Sequence, residues 1–197
     1  MRSFFIGIAG GSGAGKTALA KELKKHFKQK ASVFHLDNYQ KFGEKLPLAA
    51  GLKNWDHPNS IKWDKLRKDL ISLKRGHKIV VETRNQKLLS NLELPKEVVF
   101  SPSKVVIIEG NLLFCRSCIR RLLDFLIYLE AGDRLRMRRR TKFKDPQYAK
   151  GVLLPMYRQY VEPTKKFADL VLDTGKHSLK KCCQQAARYI TPLAKKL

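Results

Sequence analysis

The chain is poor in cysteine and in long apolar runs. It has four cysteines among 197 residues, and neither Cys115 with Cys118 nor the adjacent Cys182 and Cys183 has a second pair or nearby histidine to complete a zinc set. We therefore expect reduced, mostly buried thiols in a cytoplasmic chain. No run approaches the ~20 apolar residues that a membrane span requires, and no apolar stretch with a small-residue cleavage site follows Arg2. We expect neither a membrane span nor a secretory leader.

Acidic residues are scarce as well. The chain has 17 acidic side chains against 41 lysines and arginines, which gives a net charge of +24. No acid interrupts the basic segment from Arg134 to Lys144, and no acidic side chain follows Asp173. Such a field attracts nucleotides, nucleic acid and anionic membrane surfaces alike. The charge therefore does not by itself select a partner.

The chain also lacks internal repeats, low-complexity segments and linkers. Its length suits one domain that buries a sizeable core. Two stretches, about 37–60 and 82–103, are rich in Pro, Gly, Asn and charge, which is typical of insertions over the rim of a sheet. We predict a single domain, 1–197, with these two insertions.

Short apolar runs alternate with helical patterns. The runs are 4–9, 32–36, 79–81, 105–109, 125–129 and 170–172. Their hydrophobicity is continuous rather than alternating, which indicates strands that are covered on both faces. Helices are predicted at 17–30, 61–73 behind a Ser60 cap, 117–123, 133–142 and 179–194, the last ended or kinked by Pro192. The order predicts an α/β fold: a three-layer sandwich with a mostly parallel sheet flanked by helices.

A phosphate-binding motif follows the first apolar run. The pattern G-x-x-x-x-G-K-[ST] is filled by Gly10, Gly11, Ser12, Gly13, Ala14, Gly15, Lys16 and Thr17. The glycines let successive backbone N–H groups curl around an anion, the following helix adds its positive end, and Lys16 adds a point charge. Thr17 offers a hydroxyl to Mg²⁺. The motif predicts a P-loop fold of the NTPase type and a bound nucleoside triphosphate, ATP with Mg²⁺.

Two acids follow the apolar runs at their carboxyl ends. Asp37 comes directly after the second run, and Glu109 closes the run at 105–109. In open α/β sheets, ligands bind beyond the carboxyl ends of the strands. One acid could take a proton from an attacking hydroxyl while the other organises Mg²⁺. Each could instead only cap a following turn.

Five elements in this order resemble the uridine kinase family. They are the P-loop, LDNY at 36–39, NWDHP at 54–58, VVIIEG at 105–110 and PTKKFAD at 163–169. The family belongs to a wider group of P-loop kinases that includes phosphoribulokinases. The similarity runs from the first strand to about Gly175, and the N-x-D-H-P element is its most specific part. The resemblance implies a single P-loop kinase domain with a lid at about 134–150.

The resemblance also implies roles for individual residues. Asp37 is expected to be the general base for the 5′-hydroxyl of the substrate, beside Lys16 on the β- and γ-phosphates. Glu109 is expected to hold Mg²⁺ together with Thr17. Asp56 is expected to hold the ribose hydroxyls, because an ionised carboxylate can accept two O–H bonds at once.

Further positions are matched less closely. Tyr39 lies near an aromatic residue of the family's substrate pocket, although a packing role explains it equally well. Asp133 opens the expected lid helix, in which Arg138 and Arg139 are assigned to ATP and Arg134 to the substrate. Arg134 and Arg138 share one helical face, Arg136 and Arg140 share another, and Arg139 lies between them. Because only one face can point inward, at most two or three arginines contact phosphate.

Two departures leave the acceptor open. The stretch 82–86 has no aromatic residue or histidine where the family reads a pyrimidine ring, and the lid lacks an Arg-Gly-Arg element. We expect a small-molecule acceptor with a primary hydroxyl, foremost uridine, cytidine or a related nucleoside. A non-nucleoside such as a sugar phosphate or vitamin precursor is the first alternative. A nucleic-acid-associated nucleotide-binding protein is the second, although the chain shows no RNA-reading element. Association into a homo-oligomer is a further expectation.

Overall fold

A computed structural model describes residues 3–41, 46–83, 96–140 and 145–195. Its strands, in chain order, are β1 (Phe4–Gly10), β2 (Ala31–His35), β3 (Leu48–Ala49), β4 (Leu52–Lys53), β5 (Ile79–Thr83), β6 (Lys96–Phe100), β7 (Val105–Glu109), β8 (Phe125–Glu130) and β9 (Leu170–Asp173). Its longer helices are α1 (Lys16–Phe27), α2 (Trp63–Lys74), α3 (Ser117–Arg120), α4 (Asp133–Arg139) and a C-terminal helix (Leu179–Lys195). Residues 146–167 form successive turns of α, π and 3₁₀ helix.

Five strands build one parallel sheet in the order β2-β7-β1-β8-β9. In the register of this sheet, Glu109 of β7 lies beside Ile8 of β1 on one side and beside His35 of β2 on the other. Parallel strands end at the same edge. The P-loop after β1, Glu109 at the end of β7 and Asp37 after β2 therefore meet at one rim.

Helices cover both faces of this sheet. Along β1 the side chains alternate: Ile6 and Ile8 pack with Leu19, Leu23 and Ile190 of α1 and the C-terminal helix. Phe5 and Ala9 face the opposite cluster, which includes Leu66 and Leu70 of α2. Burial of each large apolar side chain stabilises the fold by about 1.5–3 kcal/mol. The α/β sandwich with a mostly parallel sheet is thereby confirmed.

One predicted strand lies outside the parallel sheet. The run at 79–81 belongs to β5, which pairs antiparallel with β6 in a separate two-stranded sheet. Ile79 and Val81 are buried, whereas Val80 is 49% exposed. This alternation marks a strand with one solvated face, and a run of three residues is too short to reveal it.

Several helix boundaries differ from the predictions: α1, α3 and α4 end about three residues before the predicted ends, and two further differences have a clear cause. The helix α2 begins at Trp63, and Ser60 is not its cap: Ser60 lies in a preceding 3₁₀ turn and donates its hydroxyl to the carbonyl of Trp55 at 2.8 Å. Pro192 neither ends nor interrupts the C-terminal helix, which continues to Lys195. A proline so near the helix end removes only one backbone hydrogen bond. Within the described residues no helix is long and apolar enough to cross a bilayer.

Candidate active site

The P-loop adopts a backbone that glycine makes accessible. Gly13 and Gly15 have φ angles of +82° and +97°, the left-handed region that other residues rarely adopt. A Cβ at Gly13 would also collide with the backbone carbonyl of Arg136. Gly15 is the N-cap of α1, so the loop leads directly into the positive end of that helix. The geometry forms the anion cradle that the motif predicts.

Lys16 lies in this cradle and points back along it. Its ammonium donates to the carbonyl of Gly11 at 3.1 Å. Desolvation by the surrounding protein lowers the pKa of Lys16, while the carboxylates of Glu109 and Asp37 raise it in part. A lysine facing two carboxylates at the head of a helix is placed to bind a triphosphate.

Glu109 is the centre of a small hydrogen-bonded group. Its Oε1 accepts from the hydroxyl of Thr17 at 3.0 Å and from Nδ1 of His35 at 2.7 Å. Because an ionised carboxylate can only accept, Nδ1 of His35 carries the hydrogen, and this bond raises the pKa of His35. Burial raises the pKa of Glu109, but His35, Lys16 and Thr17 together bring it below its ordinary value. Glu109 is accordingly held ionised.

This oxygen set fits Mg²⁺. The Thr17 hydroxyl and the Glu109 carboxylate converge at 3.0 Å, and both are hard oxygen donors. In the part of the chain that the structure describes, no cluster of three histidine, cysteine or acidic side chains could cage a metal. Mg²⁺ commonly binds through one or two protein oxygens together with phosphate oxygens and water, so two protein donors suffice.

Asp37 is exposed to solvent and lines the cavity that adjoins the P-loop, although neighbouring protein atoms partly desolvate its carboxylate. This partial desolvation, followed by the charge of Glu109, raises the pKa of Asp37, and Lys16 opposes the change. A carboxylate with a raised pKa is a stronger base than an ordinary carboxylate, which suits it to accept a proton.

Asp56 is held from two directions. Its Oδ1 accepts from the side-chain amide of Asn111 at 2.6 Å, and its Oδ2 accepts from the hydroxyl of Tyr148 at 2.8 Å. The backbone N–H of Trp55 donates in turn to the Tyr148 oxygen at 3.1 Å. Burial raises the pKa of Asp56, and the bond from Tyr148 opposes this. The network fixes a carboxylate whose remaining lone pairs have no hydrogen-bond partner among the described residues.

A cavity of about 890 Å³ joins these groups. Nine residues predicted to act at the site line it: Ser12, Gly13, Gly15, Lys16, Thr17, Asp37, Asp56, Glu109 and Arg139. The phosphate-binding loop and the Asp56 loop therefore face one space.

Tyr39 lies elsewhere. Its side chain is 1% exposed, donates its hydroxyl to Asp69 at 2.5 Å and packs against Phe34 with ring centroids 5.6 Å apart. It does not line the cavity. The structure matches the packing interpretation of Tyr39, which explains why an aromatic residue follows the strand.

The arginines of α4 divide differently from the predicted assignment. Arg134 and Arg138 are exposed and do not line the cavity, whereas Arg139 and Arg140 do. Arg139 donates to the hydroxyl and the carbonyl of Thr174 at 3.0 and 2.9 Å. The inward face of the helix is thus the one that carries Arg136 and Arg140, a choice that spacing alone left open.

Arg136 lies behind the P-loop with 1% exposure. Its guanidinium contacts the carbonyl of Ser12 at 3.4 Å, pairs with Asp133 at 2.5 Å and stacks 3.8 Å from the Tyr157 ring centroid. A Cβ at Gly11 would collide with this guanidinium. Arg136 therefore braces the outer side of the loop.

Sequence reasoning missed three further residues of the site. Asn111 follows the Glu109-Gly110 strand end and could have been found by extending the search two positions. His35 becomes informative only through the register that sets it beside Glu109. Tyr148 gives no local signal, because its partner Asp56 is 92 residues away.

A parallel sheet with a P-loop after its central strand and acids at the ends of two other strands is the architecture of a P-loop nucleotide-binding domain, the class to which P-loop kinases belong. A family model described as "Phosphoribulokinase / Uridine kinase family" matches residues 5–148. The chain belongs to this family.

Relatives agree with this family assignment, and solved structures share the fold. A uridine kinase of Halobacterium salinarum is 32% identical over 188 residues, which cover 90% of this chain and 83% of that protein. A uridine kinase of Clostridium perfringens is 34% identical over 189 residues and 90% of each chain. The structure of a possible uridine kinase from Bacillus stearothermophilus aligns with a TM-score of 0.66 at 22% identity, over 88% of this chain and 90% of that one. Phosphoribulokinase from Rhodobacter spheroides aligns with a TM-score of 0.64 at 12% identity, over 87% and 70%.

Proposed function

We propose that the protein transfers the γ-phosphoryl group of ATP, in the presence of Mg²⁺, to the 5′-hydroxyl of uridine, cytidine or a related nucleoside. The observation that carries this proposal is the shared cavity, which Lys16, Asp37 and Asp56 all line. A donor phosphate on the P-loop and an acceptor on Asp56 would meet in that space. In the sequence, Asp37 lies between the P-loop and the Asp56 loop. The related uridine kinases support the choice of a nucleoside.

On the donor side, the chain supplies positioning and charge. Lys16 and the P-loop amides bind the β- and γ-phosphates, and Thr17 with Glu109 would hold Mg²⁺. When bound, Mg²⁺ neutralises charge on the phosphate oxygens. Arg139 and Arg140 line the same cavity and add positive charge near the transferring group. Phosphoryl transfer needs little covalent help, so these electrostatic contributions carry most of the catalysis.

On the acceptor side, two carboxylates divide the work. Asp56 orients the acceptor by accepting hydrogen bonds from adjacent ribose hydroxyls. Asp37 takes the proton from the attacking hydroxyl, a step that contributes roughly 10²- to 10⁴-fold.

A panel of acceptors tests the proposal. Purified protein with ATP and Mg²⁺ is offered uridine, cytidine, other ribosides, pantothenate, glycerate and ribulose 5-phosphate, and ADP release is measured. We expect a pyrimidine nucleoside to stimulate release most strongly. If only a non-nucleoside stimulates ADP release, the nucleoside in the proposal is wrong and the kinase activity stands. If no acceptor stimulates release above the water background, the proposed kinase function is wrong. We also place the enzyme in the cytoplasm; its association into oligomers stays a prediction that light scattering can check.

A further inference from the structure

We propose that Tyr148 is a positioning residue for the acceptor: its hydroxyl holds the Asp56 carboxylate in the orientation that receives two adjacent hydroxyl groups of the substrate. The inference rests on the proposed function, since it assumes an acceptor with a ribose-like diol. It adds to the acceptor site a residue that lies 92 positions after Asp56 in the sequence.

The Tyr148 hydroxyl is both donor and acceptor. It donates to Oδ2 of Asp56 at 2.8 Å and accepts from the backbone N–H of Trp55 at 3.1 Å. Its one hydrogen therefore points at the carboxylate, because the N–H of Trp55 occupies a lone pair of the same oxygen. The orientation of this O–H is fixed by the contacts on both sides.

The two carboxylate oxygens are held by different elements. Asn111, just beyond β7, donates to Oδ1 at 2.6 Å, while Tyr148 donates to Oδ2. An ionised carboxylate offers about four acceptor positions. Among the residues that the structure describes, two side chains use these positions, and the others face the cavity that Asp56, Asn111 and Tyr148 all line, where hydroxyl groups of a ligand could bind.

The turn that carries Tyr148 is itself capped. Oδ1 of Asp145 accepts from the backbone N–H groups of Gln147 and Tyr148 at 2.9 and 3.1 Å, and Pro146 occupies the first helical position. A capped turn with proline at this position has few alternative conformations. The tyrosine is thus presented from a defined backbone toward a loop 92 residues earlier in the chain.

Tyr148→Phe removes only the hydroxyl and tests the role. Hydrogen bonds to charged groups contribute about 1.5–3 kcal/mol, so we expect the KM for uridine to rise roughly 10- to 100-fold. The kcat and the KM for ATP should change little. Tyr160→Phe is the matched control. The Tyr160 hydroxyl contacts the ring of His57 at 3.1 Å, so it binds the residue that follows Asp56 and not the Asp56 carboxylate. We expect all three constants of this control to stay near those of the unaltered enzyme.

Deoxynucleosides give a readout that a merely structural role would not move. The unaltered enzyme should lose kcat/KM with 2′-deoxyuridine and 3′-deoxyuridine, and this loss should shrink in Tyr148→Phe, because the carboxylate no longer recognises the diol fully. Circular dichroism and thermal melting verify that both variants fold.

Three results would contradict the inference. Undiminished deoxynucleoside losses in Tyr148→Phe, or an equal change in both KM values, would reduce Tyr148 to a structural contact. An unfolded Tyr148→Phe would do the same. If the unaltered enzyme instead fails to use any nucleoside, the proposed function falls, and this inference falls with it.

Discussion

The donor side and the acceptor side of the cavity are built in different ways. On the donor side, one continuous motif shapes the backbone, and its last two residues, Lys16 and Thr17, begin the helix α1. On the acceptor side, three segments distant in sequence supply Asp56, Asn111 and Tyr148, whose side chains meet through hydrogen bonds. On the proposed function, phosphate binding would depend on local backbone conformation, whereas acceptor recognition would depend on tertiary packing. A family of kinases can keep the first and vary the second.

Lys16→Ala should produce the largest effect on ATP binding, confined to the donor side. Loss of one preorganised charge at a transferring group costs ~10²- to 10³-fold in turnover. We also expect much weaker ATP binding, measured by isothermal titration. Lys21→Ala, on an exposed position of the same helix, is the matched control and should bind ATP normally. Equal ATP affinity in both variants would contradict the assignment of ATP binding to Lys16 and the donor side.

Arg136→Ala should rank second. It removes a buried side chain that contacts Ser12, Asp133 and Tyr157, and large-to-small changes of this kind cost about 2–4 kcal/mol of stability. Because the guanidinium braces the P-loop, the KM for ATP should rise more than that for the acceptor. The exposed Arg138 supplies the control: Arg138→Ala should stay within about 0.5 kcal/mol. Urea unfolding and steady-state kinetics measure both, and similar losses in the two variants would refute the bracing role.

A pair of glycines gives the smallest contrast. Gly13 and Gly51 both have left-handed φ angles, +82° and +72°, but a Cβ at Gly51 meets no atom of the described residues within 4 Å. Gly51→Ala should therefore cost only the backbone term, about 1–2 kcal/mol. Gly13→Ala adds a collision with the Arg136 carbonyl, so it should lose more stability and also weaken ATP binding. Equal losses in chemical denaturation would show that the P-loop backbone is no more constrained than the Leu48–Ala49 and Leu52–Lys53 hairpin.

Much of the donor side could be predicted from sequence because its determinants are local. The P-loop is contiguous, and Asp37 and Glu109 follow strand ends whose apolar runs are visible. The prediction that the run at 79–81 joins the parallel sheet was wrong. The strand continues to Thr83, and the alternation of buried and more exposed side chains becomes visible only over all five residues. Arg136 could not be chosen over Arg138, because helical spacing gives two faces and only packing decides which of them is buried.

The acceptor side was predicted only where the family resemblance reached it. Asp56 came from the N-x-D-H-P element, but no pattern connects it with Tyr148 across 92 residues. Tyr39 illustrates the opposite error: a position near a pocket in sequence turned inward to the core, where Asp69 accepts its hydroxyl. Side-chain direction after a 3₁₀ turn follows from tertiary contacts, which neither composition nor spacing reveals.

Asp37→Asn tests the central claim most directly, because Asp37 is the residue that would link phosphate donor to alcohol acceptor. The amide preserves shape but cannot take the proton, so turnover with the best nucleoside should fall ~10²- to 10⁴-fold, while ATP affinity by isothermal titration stays essentially unchanged. Undiminished turnover in this variant would contradict the account.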